Sequence, residues 1–417
     1  MSLLFLNIVV ADKERCSNRC ARVRNNMPLL LALIVIVALD HCNAEKTVAA
    51  ESVVSPSISL GTKYSDNIFF SAQDAESDFY TVLTPAVQLL QRNERGELAV
   101  KGKVDSFSYA DNSSLNSLDS EVSANGSYAL SPLFSFNASS LHKVDSQADR
   151  EIASSGLIST NSKREQNRES LGLEWALSEK TVVGSQASYS TMRYEDKDYS
   201  DMRSGSYNLS VRSDLSQYLS ETTGFVDLAQ RRYDYEGSQV SDYTTVTIGL
   251  EKKLNEQYSI LAWVGPSLIE TDYDNPYLQA DKEWGVTAHC SVDAEFETSS
   301  LRLSLTNEVA PDNFSNTTVE RTTVGGGWSK QVSADMRIGI WSSYFLNESS
   351  GSDAVFNRNS GKKTLNILPR ITYKISDNFT VEAEYGYSRV EYTDYDSNIE
   401  RNSFFINFIW GIDNILK

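Results

Sequence analysis

Side chains able to do acid–base or nucleophilic chemistry are scarce in this chain. After residue 44 there are two histidines, His142 and His289, and a single cysteine, Cys290. Hydrolysis needs a nucleophile within reach of a base, and histidine is the usual base near neutral pH. No Gly-x-Ser-x-Gly elbow, His-Glu-x-x-His pair or phosphate-binding glycine loop occurs. Cys290 reads as a small apolar filler, and the expectation is a chain that is not an enzyme, with no metal site and no cofactor. Two acid–aromatic runs, Tyr194-Glu195-Asp196-Lys197-Asp198-Tyr199 and Tyr392-Thr393-Asp394-Tyr395-Asp396, offer oxygens to hard cations. They lack the glycine spacing of a calcium loop and read as solvated rims. What the chain has in abundance is charge: 56 Asp and Glu against 38 Lys and Arg, for a net −18. That balance argues against nucleic acid as a partner, since phosphate contacts are made by Lys and Arg.

The elements that carry these charges show themselves by period. From residue 57 onward apolar residues recur at every second position. Leu171, Leu173, Trp175 and Leu177 alternate with Gly172, Glu174 and Ala176; Leu301, Leu303 and Leu305 alternate with Arg302 and Ser304. The last segment is the clearest, with Phe404, Ile406, Phe408, Trp410 and Ile412. Each segment sets one face against an apolar medium and the other against a polar one. Such segments begin near residues 57, 79, 97, 118, 132, 167, 180, 203, 219, 241, 257, 282, 300, 319, 333, 363, 378 and 400. Connections alternate strictly between short and long; residues 178–180, 255–257, 297–299 and 376–378 are short, and 144–166, 195–202, 272–281, 311–318 and 347–362 are long. One strand and its connection take up roughly 20 residues, as expected of tilted membrane strands.

The pattern predicts an all-β fold, a transmembrane antiparallel up-and-down β-barrel of about 18 strands, with 16 the alternative. Short turns then face the periplasm and long loops the outside. Tyr64, Phe69, Phe70, Tyr109, Tyr189, Tyr194, Tyr233, Tyr235, Tyr273, Tyr344, Phe345, Tyr392 and Tyr395 fall at the long-loop ends, and Tyr128, Trp175, Tyr218, Tyr258, Trp328 and Phe379 at the short-turn ends. They suit two interfacial aromatic girdles. The charges acquire a side as well. A basic residue on the lipid face costs roughly 2–4 kcal/mol at the midplane, so Lys101, Lys103, Asp105, Glu174, Arg212, Asp227, Arg231, Glu251, Asp293, Arg302, Arg337, Arg370, Glu382 and Glu384 are expected to face the lumen. There they either set the selectivity of a hydrated conduit or pair across strands and stiffen the wall. The connection 144–166 is the candidate plug or gate, the alternative being a solvated surface loop.

The N-terminus differs in kind. Lys13, Arg15, Arg19, Arg22 and Arg24 precede an unbroken apolar run from Leu29 to Leu39, followed by Cys42-Asn43-Ala44. The run is too short to span a bilayer, and the expectation is a secretory signal over residues 1–44, a short periplasmic tail over 45–56, and one barrel over 57–417. Removal of residues 1–44 takes five basic and three acidic groups, so the net charge goes from −18 to −20.

One stretch resembles a family. Ile58-Ser59-Leu60-Gly61-Thr62-Lys63-Tyr64-Ser65-Asp66-Asn67-Ile68-Phe69, followed by Asp78-Phe79 and Thr84-Pro85, is similar to the opening of the β-barrel porins found near exopolysaccharide-synthesis and exosortase loci of Gram-negative bacteria. There an opening strand ends in Tyr-x-Asp-Asn-Ile-Phe and an acidic hairpin leads into a second strand carrying proline. The opening motif is moderately specific, and the remainder of 57–417 matches mainly in pattern. The resemblance implies an outer-membrane porin or channel linked to exopolysaccharide secretion. Its expected partners are outer-membrane lipids, the barrel-assembly machinery, polysaccharide and periplasmic export proteins. The readings kept beside it are a non-conducting structural barrel and an outer-membrane hydrolase using His289. The chain departs from the pattern at its C-terminus, where it runs past Trp410 to Lys417 instead of finishing on an aromatic.

Overall fold

A computed structural model describes residues 51–159, 161–196, 199–275, 277, 279–312, 317–349, 361–393, 397–412 and 414–416. The segment expected to be a signal lies outside them. The strands are β1 (Glu51–Ser65), β2 (Asp78–Arg92), β3 (Gly96–Tyr109), β4 (Ser117–Ser131), β5 (Phe134–Asp145) and β6 (Arg164–Ala176). They continue with β7 (Thr181–Tyr194), β8 (Met202–Asp214), β9 (Thr222–Tyr235), β10 (Gln239–Lys253), β11 (Tyr258–Tyr273) and β12 (Asp281–Glu295). The last are β13 (Ser299–Asp312), β14 (Thr317–Gln331), β15 (Met336–Ser349), β16 (Gly361–Ser376), β17 (Phe379–Tyr392) and β18 (Ser397–Gly411), followed by a short β19 (Asn414–Leu416). One four-residue helix, α1 (Ile152–Ser155), lies between β5 and β6.

Every strand pairs antiparallel with its sequence neighbours, and β18 pairs back onto β1 from Ser57↔Gly411 to Ser65↔Ser403. The wall is therefore a closed eighteen-stranded barrel. β19 extends the last strand, adding Ser52↔Leu416 to Val54↔Asn414 along β1. Closure leaves no edge strand, so most ladder groups find partners within the wall without help from water.

The two faces of each strand differ as the period demands. Large apolar side chains stay exposed on one parity, for example Leu171, Leu173 and Trp175 on β6, Val246, Ile248 and Leu250 on β10, Leu303 and Leu305 on β13, and Phe404, Phe408 and Trp410 on β18. This exposed belt belongs against acyl chains.

Three features depart from the sequence reading. Residues 51–56, expected in a periplasmic tail, lie in β1 and pair with β2 from Glu51↔Arg92; their residues are too mixed in polarity for alternation to reveal a strand. Short and long connections do not alternate strictly. β9 and β10 are joined on the loop side by only residues 236–238, with Gly237 at φ 76°. β8 and β9 are joined on the turn side by the longer 215–221. Third, the aromatic set at the loop ends divides. Tyr64, Tyr189 and Tyr344 stay on the outer side, whereas Phe70, Tyr109, Tyr194, Tyr233, Tyr235 and Phe345 are buried inside the wall. A two-residue period fixes which residues share a face, but an interior tyrosine and a girdle tyrosine look alike when both sit near a loop.

Candidate functional site: an inserted loop and a charged lumen

The connection between β5 and β6, residues 146–163, does not stay outside the barrel. Its neck is clamped where the strands meet. Arg164 donates to both oxygens of Asp145, Nε to Oδ1 at 3.0 Å and Nη2 to Oδ2 at 2.8 Å. Lys143 adds a third contact to Asp145 at 2.9 Å. Arg164 also pairs with Glu151 inside the loop, and Arg150 Nη1 donates to the Ser162 carbonyl at 2.8 Å, tying the two arms together. Bidentate guanidinium–carboxylate geometry of this kind fixes orientation as well as adding energy.

Beyond the neck the loop crosses to the opposite wall. Asp149 accepts from Lys63 of β1 at 3.0 Å and pairs with Arg401 of β18 at 2.9 Å. Asn366 of β16 donates to the Ile152 carbonyl at 2.7 Å, Thr364 to the Gly156 carbonyl at 2.6 Å, and Asn347 of β15 to the Ser155 carbonyl at 3.1 Å. The Ser155 and Gly156 carbonyls are ones that a helix end leaves without internal partners, while that of Ile152 also accepts from the Gly156 N–H at 3.2 Å. Gly156 stands at φ 70°, and a Cβ there would lie 2.6 Å from Phe345. Both the left-handed backbone and the close approach call for glycine. Phe70, Ala148, Ile152, Val390 and Ile399 form a small apolar cluster where the loop docks. The parity that meets the loop, including Lys63, Thr364, Asn366 and Arg401, is the one that carries no apolar belt, and it is the inner face.

A second element leans inward, one that sequence reasoning missed. Pairing between β12 and β13 stops at Ala288↔Asn307, while β13 continues to pair with β14 up to Asp312↔Thr317. The freed end of this hairpin tilts across the lumen. Val309 packs on Tyr243 and Ile269, Tyr235 Oη donates to the Thr317 carbonyl at 2.7 Å, and Arg231 faces Glu308 at 3.9 Å. On the other side Lys362 of β16 donates to Asp312 at 3.2 Å. Pro311 was a readable signal, because a residue without an N–H suits a strand whose neighbour has left.

The charged residues singled out by alternation lie on the parity without the belt on their strands, and the structure brings some of them together. Lys103 contacts Asp105 at 3.0 Å and Glu121 at 3.8 Å, and Thr84 donates to Asp105 at 2.7 Å. Arg302 pairs with Asp293, and Arg370 Nε donates to Glu384 at 2.9 Å. Arg337 donates to Gln331 at 3.1 Å. Lys101, Glu174, Arg212, Asp227, Glu251 and Glu382 make no ion pair with a described residue. Asp149, Lys63, Arg401, Arg150 and Arg164 were not among those singled out, although they hold the loop in place. Lys63 and Arg401 obey the same alternation and could have been found by it. His289 shares a hydrogen bond with Thr306 at 2.8 Å and stacks on Trp263 at 5.6 Å between centroids. Among the described residues there is no group of three His, Cys, Asp or Glu placed to hold a metal. Parts of both acid–aromatic runs, residues 197–198 and 394–396, lie outside those residues.

Burial is graded along the axis. Toward the loop end the inner face is packed, with Tyr235, Tyr243 and Val390 almost wholly covered. Toward the turn end inner residues such as Lys101, Glu174, Glu251 and Arg337 remain exposed. The interior is thus a vestibule that is wide at the turn end and narrowed by the inserted loop and the leaning hairpin.

The latch has a readable pH dependence. Burial by itself raises the Asp149 carboxyl, but the charges of Lys63 and Arg401 outweigh it and hold the group well below the usual carboxylate range. A folded-state value that is depressed contributes stability above the free-acid value of about 4, lost only as pH falls through the lower docked value. Docking of the loop through this group should therefore be constant from pH 5 to 8 and weaken only in stronger acid. Channel conductance recorded across that range checks this, and loop release between pH 5 and 6 would contradict the pairing.

No curated protein matches the sequence. Several solved structures are similar to the chain at very low identity. Pseudomonas aeruginosa OccK2 (OpdF), solved in complex with glucuronate, is 7% identical with a TM-score of 0.47, over 86% of this chain and 98% of that one. Pseudomonas aeruginosa OccK1 (OpdK) is 9% identical with a TM-score of 0.46, over 87% and 99%. Acinetobacter baumannii OccAB3 is 8% identical with a TM-score of 0.44, over 87% and 99%. Residues 51–166, which take in β1 to β5 and the inserted loop, match the family model described as "Putative beta-barrel porin 2", and the wall they open closes into an eighteen-stranded antiparallel barrel.

Proposed function

We propose that this protein is an outer-membrane channel whose lumen admits hydrophilic solutes from a wide periplasmic vestibule and whose inserted loop sets the limiting aperture, and that its cargo is an exopolysaccharide on its way out of the cell. The observation that carries the channel reading is the way the loop is held. It is fastened by one carboxylate latch and a few side-chain bonds to loop carbonyls, over a small apolar cluster, which is a removable attachment and not a continuous core. The polar inner face and the exposed charges of the vestibule supply a hydrated path. The polysaccharide assignment is supported by the resemblance of the opening strands. The basic residues and apolar run of residues 1–44 support export by an N-terminal signal, and the resemblance supports insertion by the assembly machinery among outer-membrane lipids and contact with periplasmic export proteins.

A second reading, a barrel that conducts nothing, is favoured by the packing of Tyr235, Tyr243 and Val390 at the loop end. Planar-bilayer recording separates the two. The native chain is expected to give small, steady current steps, and a chain with residues 146–163 replaced by a short Gly–Ser linker should give markedly larger ones. No stable steps from either chain would remove the channel reading.

A further inference from the structure

We propose that the lumen carries a level band of aromatic platforms and ion pairs that binds a glycan chain, with Trp341 as its central stacking surface. The inference rests on the channel reading above and assigns that channel's binding surface.

Three inward rings lie flat against the wall because the strand beside each supplies a glycine. A Cβ at Gly327 would overlap the Trp341 ring, one at Gly249 would overlap Phe225, and one at Gly61 would come 2.5 Å from Phe405. Trp341 is in register with Gly327 and is on the parity of Phe345 and Asn347, which meet the inserted loop. It is nevertheless 53% exposed. A half-exposed tryptophan on the inner face of a polar lumen presents one free π-face to whatever passes.

The neighbours of this ring are not random. Gly327 is in register with Arg302, whose guanidinium pairs with Asp293. On the other side Gly339, two residues from Trp341, is in register with Arg370, which pairs with Glu384. Past that pair comes Phe405, in register with Glu384. In the opposite direction His289, on the strand of Asp293, stacks on Trp263 of the next strand. Around β11 to β18 the wall thus reads ring, ion pair, ring, ion pair, ring.

These groups also share a height, except that the Arg302–Asp293 pair lies about two to three residues nearer the turn end. The line of paired residues climbs toward the loops in chain order, as Ser57 of β1 leads through Lys103, Lys143 and Met192 to Tyr235 at the loop end of β9. A strand tilt of roughly 40° makes that climb about one residue per strand. From Trp263 the line reaches Phe345 four strands on, so Trp341, four residues nearer the turn end, returns to the starting level. The same correction brings Arg370, Glu384 and Phe405 to it.

Alternating rings and ion pairs fit a pyranose chain. The C–H face of a sugar ring is weakly positive and lies on the negative face of an aromatic ring, while its hydroxyls accept from guanidinium and donate to carboxylate. Both charge signs occur in the band, which suits a neutral or weakly charged glycan.

The test uses maltohexaose and cellohexaose as probes of the full chain in a planar bilayer. Either sugar is expected to interrupt the current of the native channel. Trp341→Ala should shorten the interruptions about tenfold, the scale of one lost ring contact, Trp341→Phe should keep most of the effect, and Gly327→Ala should weaken it by lifting the ring. Sugar-free conductance and heat-modifiable gel mobility of the variants report intact barrels. Interruptions of equal length in Trp341→Ala and native channels, or none with either sugar, would overturn the band. Tryptophan fluorescence titration in detergent keeps the two readings apart: sugar binding without conductance retains the band and removes the channel, whereas conductance without sugar binding removes the band alone.

Discussion

Asp149→Ala is expected to release the inserted loop and raise single-channel conductance several-fold while leaving the barrel folded. In the native chain one carboxylate neutralises two cations from adjoining strands, Lys63 at 3.0 Å and Arg401 at 2.9 Å. The Arg401 side chain is almost fully buried, with Asp149 and Lys63 about three-quarters so. Alanine leaves those cations facing each other without a counter-charge. Breaking a buried pair from one side costs about 3–5 kcal/mol, and the remaining solvent access brings the expected loss nearer 2–4 kcal/mol against the docked loop. Every 1.4 kcal/mol is tenfold in an equilibrium, so the undocked population should rise by roughly thirty- to several-hundred-fold. The wall does not depend on the loop, because each strand is paired on both sides. Limited proteolysis should cut within 146–163 in the variant and not in the native chain. Equal conductance and equal protease resistance in the two chains would show that the loop is held without the latch, by its neck, its carbonyl bonds to Asn366, Thr364 and Asn347 and the apolar cluster. Asp149→Glu, one methylene longer with the charge kept, should restore most of the latch.

How far the sequence revealed the molecule depends on what its period can encode. Every strand of the wall was visible, because lipid on one side and a polar interior on the other impose alternation on Leu301-Arg302-Leu303-Ser304-Leu305 as strictly as on Phe404 to Trp410. Length alone marked 144–166 as unusual, since a chain reversal needs few residues and a crossing needs many. The landing points of that loop were not legible. Asp149 meets Lys63 and Arg401 only because closure sets β18 beside β1, about a quarter of the way round the wall from β5 and β6, a property of the whole wall and not of any local pattern. Tyr235 and Phe345 were assigned to an interfacial girdle for the same reason. Their position near a loop and on the inner parity was readable, but whether the interior there is open or filled depends on elements far away in sequence. The leaning hairpin left one trace, Pro311 in a strand that otherwise alternates well.

Ile371→Arg is expected to destabilise the inserted barrel far more than Thr372→Arg one position away, and the contrast tests the facing of every charged residue discussed above. Ile371 is half exposed and belongs to the outer row Leu365, Ile367, Ile371 and Tyr373 of β16. Thr372 lies on the row that holds Arg370 and Asn366, and it is in register with Glu382 of β17. An arginine on the lipid face costs about 2–4 kcal/mol at the midplane and less toward an interface, because the guanidinium must stay solvated while its strand is fixed in hydrocarbon. On the inner face the same side chain enters a hydrated vestibule and finds the Glu382 carboxylate across the strand, so the expected cost there is about zero to 1 kcal/mol. Reversible folding into vesicles, followed by tryptophan emission against denaturant, measures both variants. Equal destabilisation would mean that the exposed apolar row is not a lipid belt, and the lumen assignment of Arg370, Glu382 and Glu384 would fall with it. The reverse order, with Thr372→Arg the worse, would turn the barrel inside out.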